Sequence, residues 1–371
     1  MNKKFWATTF TLTGTIIGAG ILGLPYIFAK SGFLVGLFWL IILGTIMIFV
    51  NLALGEIALR TKGRHQLSGY AKKYLGPWGQ RLMFFAMIFG IYSALLAYLV
   101  GEGESLSKLL PGNINPLILG IGFWIIMTLM LKEGLKGLKK VETWGVIGII
   151  TIVIGIFIRF LPQIQTANLT EWSQPNFALP IGIVIFALMG FTSIPELREE
   201  IRGNEKLLKK AIIIGGLIPL FLYIIFSATV IGVLGKNITQ VATLSFGPLM
   251  TILGIFTMLT SYFVLSFSLR DTFRFDIKAT RKMNLLFTSF IPLILYILIT
   301  EFHLLGFSSI LGIGGVISGG LTGILIIVIN KRAKKTTRSK KKPEINMPMN
   351  WPIIIILSLI FIAGIILEFT H

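Results

Sequence analysis

Apolar residues in this chain come in unbroken blocks of about 20, long enough to cross ~30 Å of hydrocarbon as a helix. Continuous runs exclude a membrane β-barrel, whose strands alternate apolar and polar residues. Only 13% of the 371 residues are charged and 54% are hydrophobic, too little charge for a water-facing surface of this size. The pattern predicts an all-α integral membrane protein with eleven spans, near residues 6–29, 33–59, 82–106, 114–131, 142–161, 178–197, 208–234, 247–270, 284–300, 304–330 and 351–369. They form one transmembrane domain, with a basic linker at 331–350 before the last span. The start, MNKKFWATTF, is charged but leads to no clean small-residue cleavage site, so it is expected to stay as part of the first span.

The basic residues predict orientation. With the N-terminus inside, 30 of the 34 Lys and Arg fall on the cytoplasmic side. Lys30, Lys108, Arg159 and Lys236 fall outside. Cytoplasmic loops carry such an excess. The expectation is a cell-membrane protein with its N-terminus in the cytoplasm and its C-terminus outside. The net charge of +19 then marks loops facing anionic lipid headgroups, not nucleic acid. The densest run, Lys331–Glu344, has no interleaved aromatics and no folded module, and is expected to be a flexible cytoplasmic linker. Residues 61–81 are expected along the inner interface, partly as an amphipathic helix. There is no cysteine, and His65, His303 and His371 are scattered. No Walker loop, hydrolase motif or metal cluster is present, so neither an enzyme nor an organic cofactor is expected.

Two spans are poor helices. TGTIIGAGILGLPY (Thr13–Tyr26) carries Gly14, Gly18, Gly20, Gly23 and Pro25. IGIVIFALMGFTSIPELREEI (Ile181–Ile201) carries Gly190, Thr192, Ser193 and Pro195. Glycine weakens a helix, and proline removes a donor and clashes with the preceding turn. The second break comes five spans after the first and runs the opposite way. That spacing predicts an inverted repeat, residues 1–162 and 178–330, with the eleventh span outside it. Backbone groups freed at membrane depth must line a cavity or meet a ligand. A half-helix N-terminus suits a carboxylate, and freed carbonyls suit an ammonium or a cation. Close helix packing is the other use of such glycines.

The segment GTIIGAGILGLPY resembles the first-span signature of amino-acid permeases in the amino acid–polyamine–organocation superfamily, nearest the amino acid/auxin and aromatic amino-acid permease branches. FALMGFTSIPELREEIRGNEKLLKKAI (Phe186–Ile212) resembles the sixth-span pattern, and SALLAYLVGEGESL (Ser93–Leu106) is similar to the third span of the auxin-permease branch. The resemblance covers about residues 6–330. It implies the fold of the bacterial leucine transporter, with alternating access around a central amino-acid site. It also implies that main-chain N–H groups of Gly18, Ala19, Gly20 and Ile21 hold the substrate carboxylate. Carbonyls of Phe186, Ala187 and Leu188 would receive the amino group, with Gly190 at the break and Phe191 covering the substrate. Tyr92 in span three either reaches the site or packs.

Span eight places Thr257, Thr260 and Ser261 on one helix face. Hard cations want oxygen ligands. In sodium-coupled relatives, the resemblance assigns the hydroxyls of Thr260 and Ser261 and the carbonyls of Thr257, Gly14 and Ile17 to a sodium ion. Span five lacks the internal lysine that proton-coupled relatives can use instead. The alternatives are hydroxyls bonded to their own helix and a proton-coupled symporter or exchanger. The walls at Ile16, Ile17, Ile21, Leu188 and Phe191 are apolar and no acidic residue adjoins either break, so a neutral, hydrophobic or aromatic L-amino acid is expected. A sensor usually carries a longer tail, and a channel would not close around its substrate. Glu56 is expected to pair with Arg60, Glu196 to line the inner path, Arg198, Glu199 and Glu200 to form a gate or a solvated face, and Asn51 to bond across helices.

Overall fold

A computed structural model of the chain describes residues 3–63, 65–112, 114–133, 138–172, 176–275, 278–336 and 343–368. Helices run in order as α1 (Lys3–Ile16), α2 (Gly20–Ser31), α3 (Phe33–Arg60), α4 (Leu67–Leu109), α5 (Pro116–Glu133), α6 (Leu138–Phe160), α7 (Ile181–Ala187), α8 (Ile194–Glu200), α9 (Leu208–Leu234) and α10 (Pro248–Phe275). They continue as α11 (Arg281–Leu285), α12 (Ile291–Glu301), α13 (Phe307–Gly314), α14 (Leu321–Thr336) and α15 (Trp351–Glu368). Among the described residues nine helical segments are long and apolar enough to cross a membrane, or ten if the bent pair α1–α2 is one span. The expected fourth span is a shorter apolar helix, Pro116–Leu131. The end of the last expected span, residue 369, lies outside the described residues.

Local sequence explains where the helices bend. Gly76 takes φ 80°, a conformation open to glycine, and Pro77 follows it inside α4. This kink sets the first turns of α4, Leu67–Leu75, apart from the long apolar part of the helix. Just past it Trp78 is 78% exposed, with the Arg81 guanidinium 5.3 Å from its ring. Short π-helical turns, Leu286–Phe290 and Gly315–Gly320, join α11 to α12 and α13 to α14. An extra residue per turn frees backbone groups for partners elsewhere.

The core is built around α1, α2, α7 and α9. Helix α9 packs on α1, α2 and α3, and α13 packs on α7 and α4. Helix α4 also packs on α5 and α10. The basic residues gather at one end of this bundle. There Lys4 donates to the Arg202 carbonyl (2.9 Å), Arg198 to the Gly63 carbonyl (2.9 Å) and Arg270 to the Leu131 carbonyl (2.9 Å).

One expectation is corrected at this end. The run Lys331–Glu344 is expected to be flexible, yet its start, Lys331–Thr336, is the end of α14, and the residues that follow the run are fastened down. Ile345, Met347 and Met349 are buried, and the Met347 N–H donates to the Glu56 carboxylate (2.8 Å). The reason is the period of two. Alternate residues of an extended strand share one face, and Ile345, Met347 and Met349 make that face apolar. Residues 337–342 lie outside the described part.

Candidate functional site

The first break opens where α1 stops. Ile17 N–H makes the last bond of that half, to the Thr13 carbonyl (2.9 Å). Helix α2 restarts at Gly20 after a 53° bend. The opening N–H groups of a helix have no partner within it. Ala19 N–H points to the Tyr98 hydroxyl (3.4 Å), and Leu22 N–H closes the first turn on the Ala19 carbonyl (3.0 Å). No backbone N–H of the described residues reaches the Gly14 or Ile17 carbonyl.

The second break follows Ala187. Leu188 and Met189 are held by short bonds back to Val184, Ile185 and Phe186, and the chain then turns at Gly190. One tight turn, Phe191–Ser193, leads into α8, which has Pro195 in its first turn, where a missing N–H costs nothing. The Ser193 hydroxyl donates to the Gly190 carbonyl (2.9 Å).

These two breaks touch. A Cβ on Gly20 would land on the Cα and Cβ of Ala187. One on Gly190 would come within 2.7 Å of Ile16 Cγ1 and 2.9 Å of Leu12 Cδ1. Tyr223, from α9, spans the junction. Its hydroxyl lies 2.8 Å from the Ile16 carbonyl and 2.9 Å from the Ala187 carbonyl. A phenol has one proton, so the two carbonyls share it. The structure thus brings together Gly18, Ala19, Gly20 and Ile21 with Phe186, Ala187, Leu188, Gly190 and Phe191. Ile16, Ile17, Ile21, Ala187, Leu188 and Phe191 are all buried there.

Tyr92 lies elsewhere. Its hydroxyl donates to the Phe287 carbonyl (2.8 Å), in the π-helical turn between α11 and α12. The span-three tyrosine at the break is Tyr98, whose hydroxyl also meets Ser261. A Cβ on Gly18 would come within 3.0 Å of that hydroxyl. Tyr98 and Tyr223 were not singled out from the sequence. The available signal was spacing: six residues separate Tyr92 from Tyr98, which turns them to different faces of the helix.

The oxygen set proposed for a cation is partly engaged within its own helix. Thr257 donates to the Leu253 carbonyl (2.9 Å). Thr260 donates to the Phe256 (3.1 Å) and Thr257 (3.0 Å) carbonyls. Donors here are hydroxyls and carbonyls only, which fits a hard cation of low charge. Among the described residues no group of three His, Asp or Glu forms a metal site. At the basic end Glu200 lies 3.4 Å from the Thr11 hydroxyl, tying α8 to α1. Asn51 is buried, but its Oδ1 finds no donor.

Two interrupted helices that meet inside an apolar helical bundle, the opening N–H groups of one beside the carbonyl end of the other, define a membrane permease. The chain belongs to the tryptophan/tyrosine permease family, whose model matches residues 1–266. It is a family of transporters and not of enzymes. The chain is 28% identical over 240 residues to tyrosine-specific transport system 1 of Haemophilus influenzae, a match spanning 64% of this chain and 60% of that protein. It is 23% identical to glutamine transporter 2 of Aliivibrio fischeri, over 94% of this chain and 93% of the relative. The crystal structure of MhsT in complex with L-phenylalanine superposes with a TM-score of 0.67 at 17% identity, over 98% of this chain and 97% of that one. That likeness is one of fold, the leucine-transporter type.

Proposed function

We propose that this chain is a secondary active transporter of a neutral, hydrophobic or aromatic L-amino acid, working by alternating access in the cell membrane. The contact between the breaks carries the reading: Gly20 lies against Ala187, and Tyr223 bridges Ile16 and Ala187. The N–H groups of Gly18–Ile21 offer the positive end of a half-helix to a carboxylate. The carbonyls of Phe186, Ala187 and Leu188 lie beside them for the ammonium, and Phe191 covers the substrate. The apolar walls favour an apolar side chain. Relatives named for tyrosine and a neighbour holding phenylalanine point the same way. The five-plus-five repeat, the eleven spans and the cytoplasmic N-terminus belong to this proposal. So does a sodium ion held by Gly14, Ile17, Thr257, Thr260 and Ser261, for which Thr260 would turn from the Phe256 carbonyl. The protein is reconstituted into liposomes and offered labelled tyrosine, tryptophan and phenylalanine. Saturable uptake, competed by neutral but not by cationic amino acids, is expected. Best competition by lysine or a polyamine would overturn the substrate class. Uptake unchanged when potassium replaces sodium would overturn sodium coupling.

A further inference from the structure

Glu102 lies on α4 one helical turn beyond Tyr98, on the same side of the helix. It is fully buried, and neither carboxylate oxygen has a hydrogen-bond partner. Its flanks are tightly packed. A Cβ on Gly101 would meet Met258 and Phe307, and one on Gly103 would meet Pro116 and Tyr296. None of the titratable groups on the elements packed against α4 is hydrogen-bonded to Glu102. On α10 these are Tyr262, Arg270, Asp271 and Arg274, and Arg270 donates to the Leu131 carbonyl. On α12 they are Tyr296, which donates to the Pro116 carbonyl (3.2 Å), and Glu301. Helix α14 contributes Lys331, Arg332, Lys334 and Lys335 near the basic end; α5 and α13 bring no titratable group to this level. On α4 itself Glu104 stands two residues on, Lys108 donates to the Leu244 carbonyl, and Tyr98 is engaged with Ala19 and Ser261.

Among the described residues no donor is hydrogen-bonded to this enclosed carboxylate. Such a group takes a proton before it is sealed from water. Acidic side chains inside membrane spans are rare and mark ion or proton paths. Tyr98 links this turn of α4 to the first break, so whatever opens the break also bears on the environment of Glu102.

We propose that Glu102 is a proton-binding site of the transport cycle. In the open state on one side its carboxylate takes a proton from a hydronium ion in the water there, one O–H bond forming on Glu102 as one breaks in the hydronium. The neutral acid passes through the closed state. The same O–H bond breaks to release the proton to water when the opposite side opens. The site is separate from the oxygen set at Gly14, Ile17, Thr260 and Ser261, so the proton and a sodium ion share no ligand. The proposal rests on the transporter reading.

The test uses proteoliposomes of the full chain and its E102Q and E102D variants, with equal sodium inside and outside so that no sodium gradient drives uptake. The probe is an equimolar labelled mixture of tyrosine, tryptophan and phenylalanine, with pyranine trapped inside. Wild type is expected to acidify the lumen when amino acid is added, and a one-unit inward pH gradient should raise accumulation at least fivefold. E102Q should still exchange internal for external amino acid but lose the pH-driven accumulation and the acidification. E102D should keep a part of both. Accumulation by E102Q within twofold of wild type would overturn the proposal. So would amino-acid exchange in wild type without acidification, which leaves the transporter reading standing. Absence of exchange in wild type would overturn that reading and the proposal with it. Binding of lysine or cadaverine that depends on Glu102 would make it an ammonium site instead. If E102Q does not insert, wild-type acidification and E102D decide.

Discussion

At the scale of the residue, the site depends on atoms that are missing and on one hydroxyl. Gly20 has no side chain, and any Cβ there would strike the Ala187 main chain, which cannot swing aside. Gly20→Val is therefore expected to insert into the membrane at wild-type levels, seen in membrane fractions, and to lose amino-acid uptake. Gly122→Ala is the control, since a Cβ there meets nothing within 4 Å. Tyr223→Phe leaves the Ile16 and Ala187 carbonyls without their donor. A buried acceptor left unpaired costs about 1–3 kcal/mol. The expected outcome is a lower melting temperature together with at least tenfold slower uptake. A fall in stability with unchanged uptake would make Tyr223 a packing residue only. The glycines were legible in the sequence because a helix-breaking residue inside an apolar block conflicts with its surroundings. Tyr98 and Tyr223 were not. The partners of each hydroxyl include main-chain groups far away in sequence, and no local pattern encodes that pairing.

At the scale of the element, the two broken helices were legible and the strap at the basic end was not. The breaks carry Gly and Pro at matching places, a pattern readable along the chain. The strap depends on a buried charge meeting distant donors. Glu56 on α3 is fully buried, and its carboxylate holds Arg60 (2.8 Å), Asn330 (3.1 Å), Lys334 (3.4 Å) and the Met347 N–H (2.8 Å). The sequence suggested Arg60 because it lies one turn away. It gave no sign of Asn330, Lys334 or Met347. Removing one side of a buried charged network costs about 3–5 kcal/mol. Glu56→Ala is expected to lower the melting temperature and to expose residues 343–350 to glutamyl endopeptidase, which cuts after Glu344. Protection of that segment equal to wild type would show that the apolar face of Ile345, Met347 and Met349 holds it unaided.

At the scale of the whole molecule, hydrophobic blocks predict helices and membrane, because hydrocarbon thickness fixes how long an apolar run must be. They do not say which helices touch, since every lipid-facing helix is apolar all round. The contacts come from small residues and from paired polar groups, and those appear only in three dimensions. If the folded state binds an aromatic amino acid, ligand at about 100 times its dissociation constant should add about 2.7 kcal/mol of stability. A thermal-shift titration with phenylalanine or tryptophan is expected to raise the wild-type melting temperature and to leave that of Gly20→Val unchanged.

The kink at Gly76 has a consequence for the surrounding lipid. It leaves Trp78 facing outward, with Arg81 beside it, and Trp351 stands 63% exposed with the Lys331 ammonium 3.4 Å from its ring. Indoles with a basic neighbour settle at the headgroup level. Two such pairs, on separate helices, act as a depth gauge that fixes how far this end of the bundle sinks into a leaflet. Lipids brominated at different positions along the acyl chain should quench both tryptophans most strongly at the shallowest bromine. A bilayer too thin or too thick would have to stretch or tilt the protein to keep both rings in place.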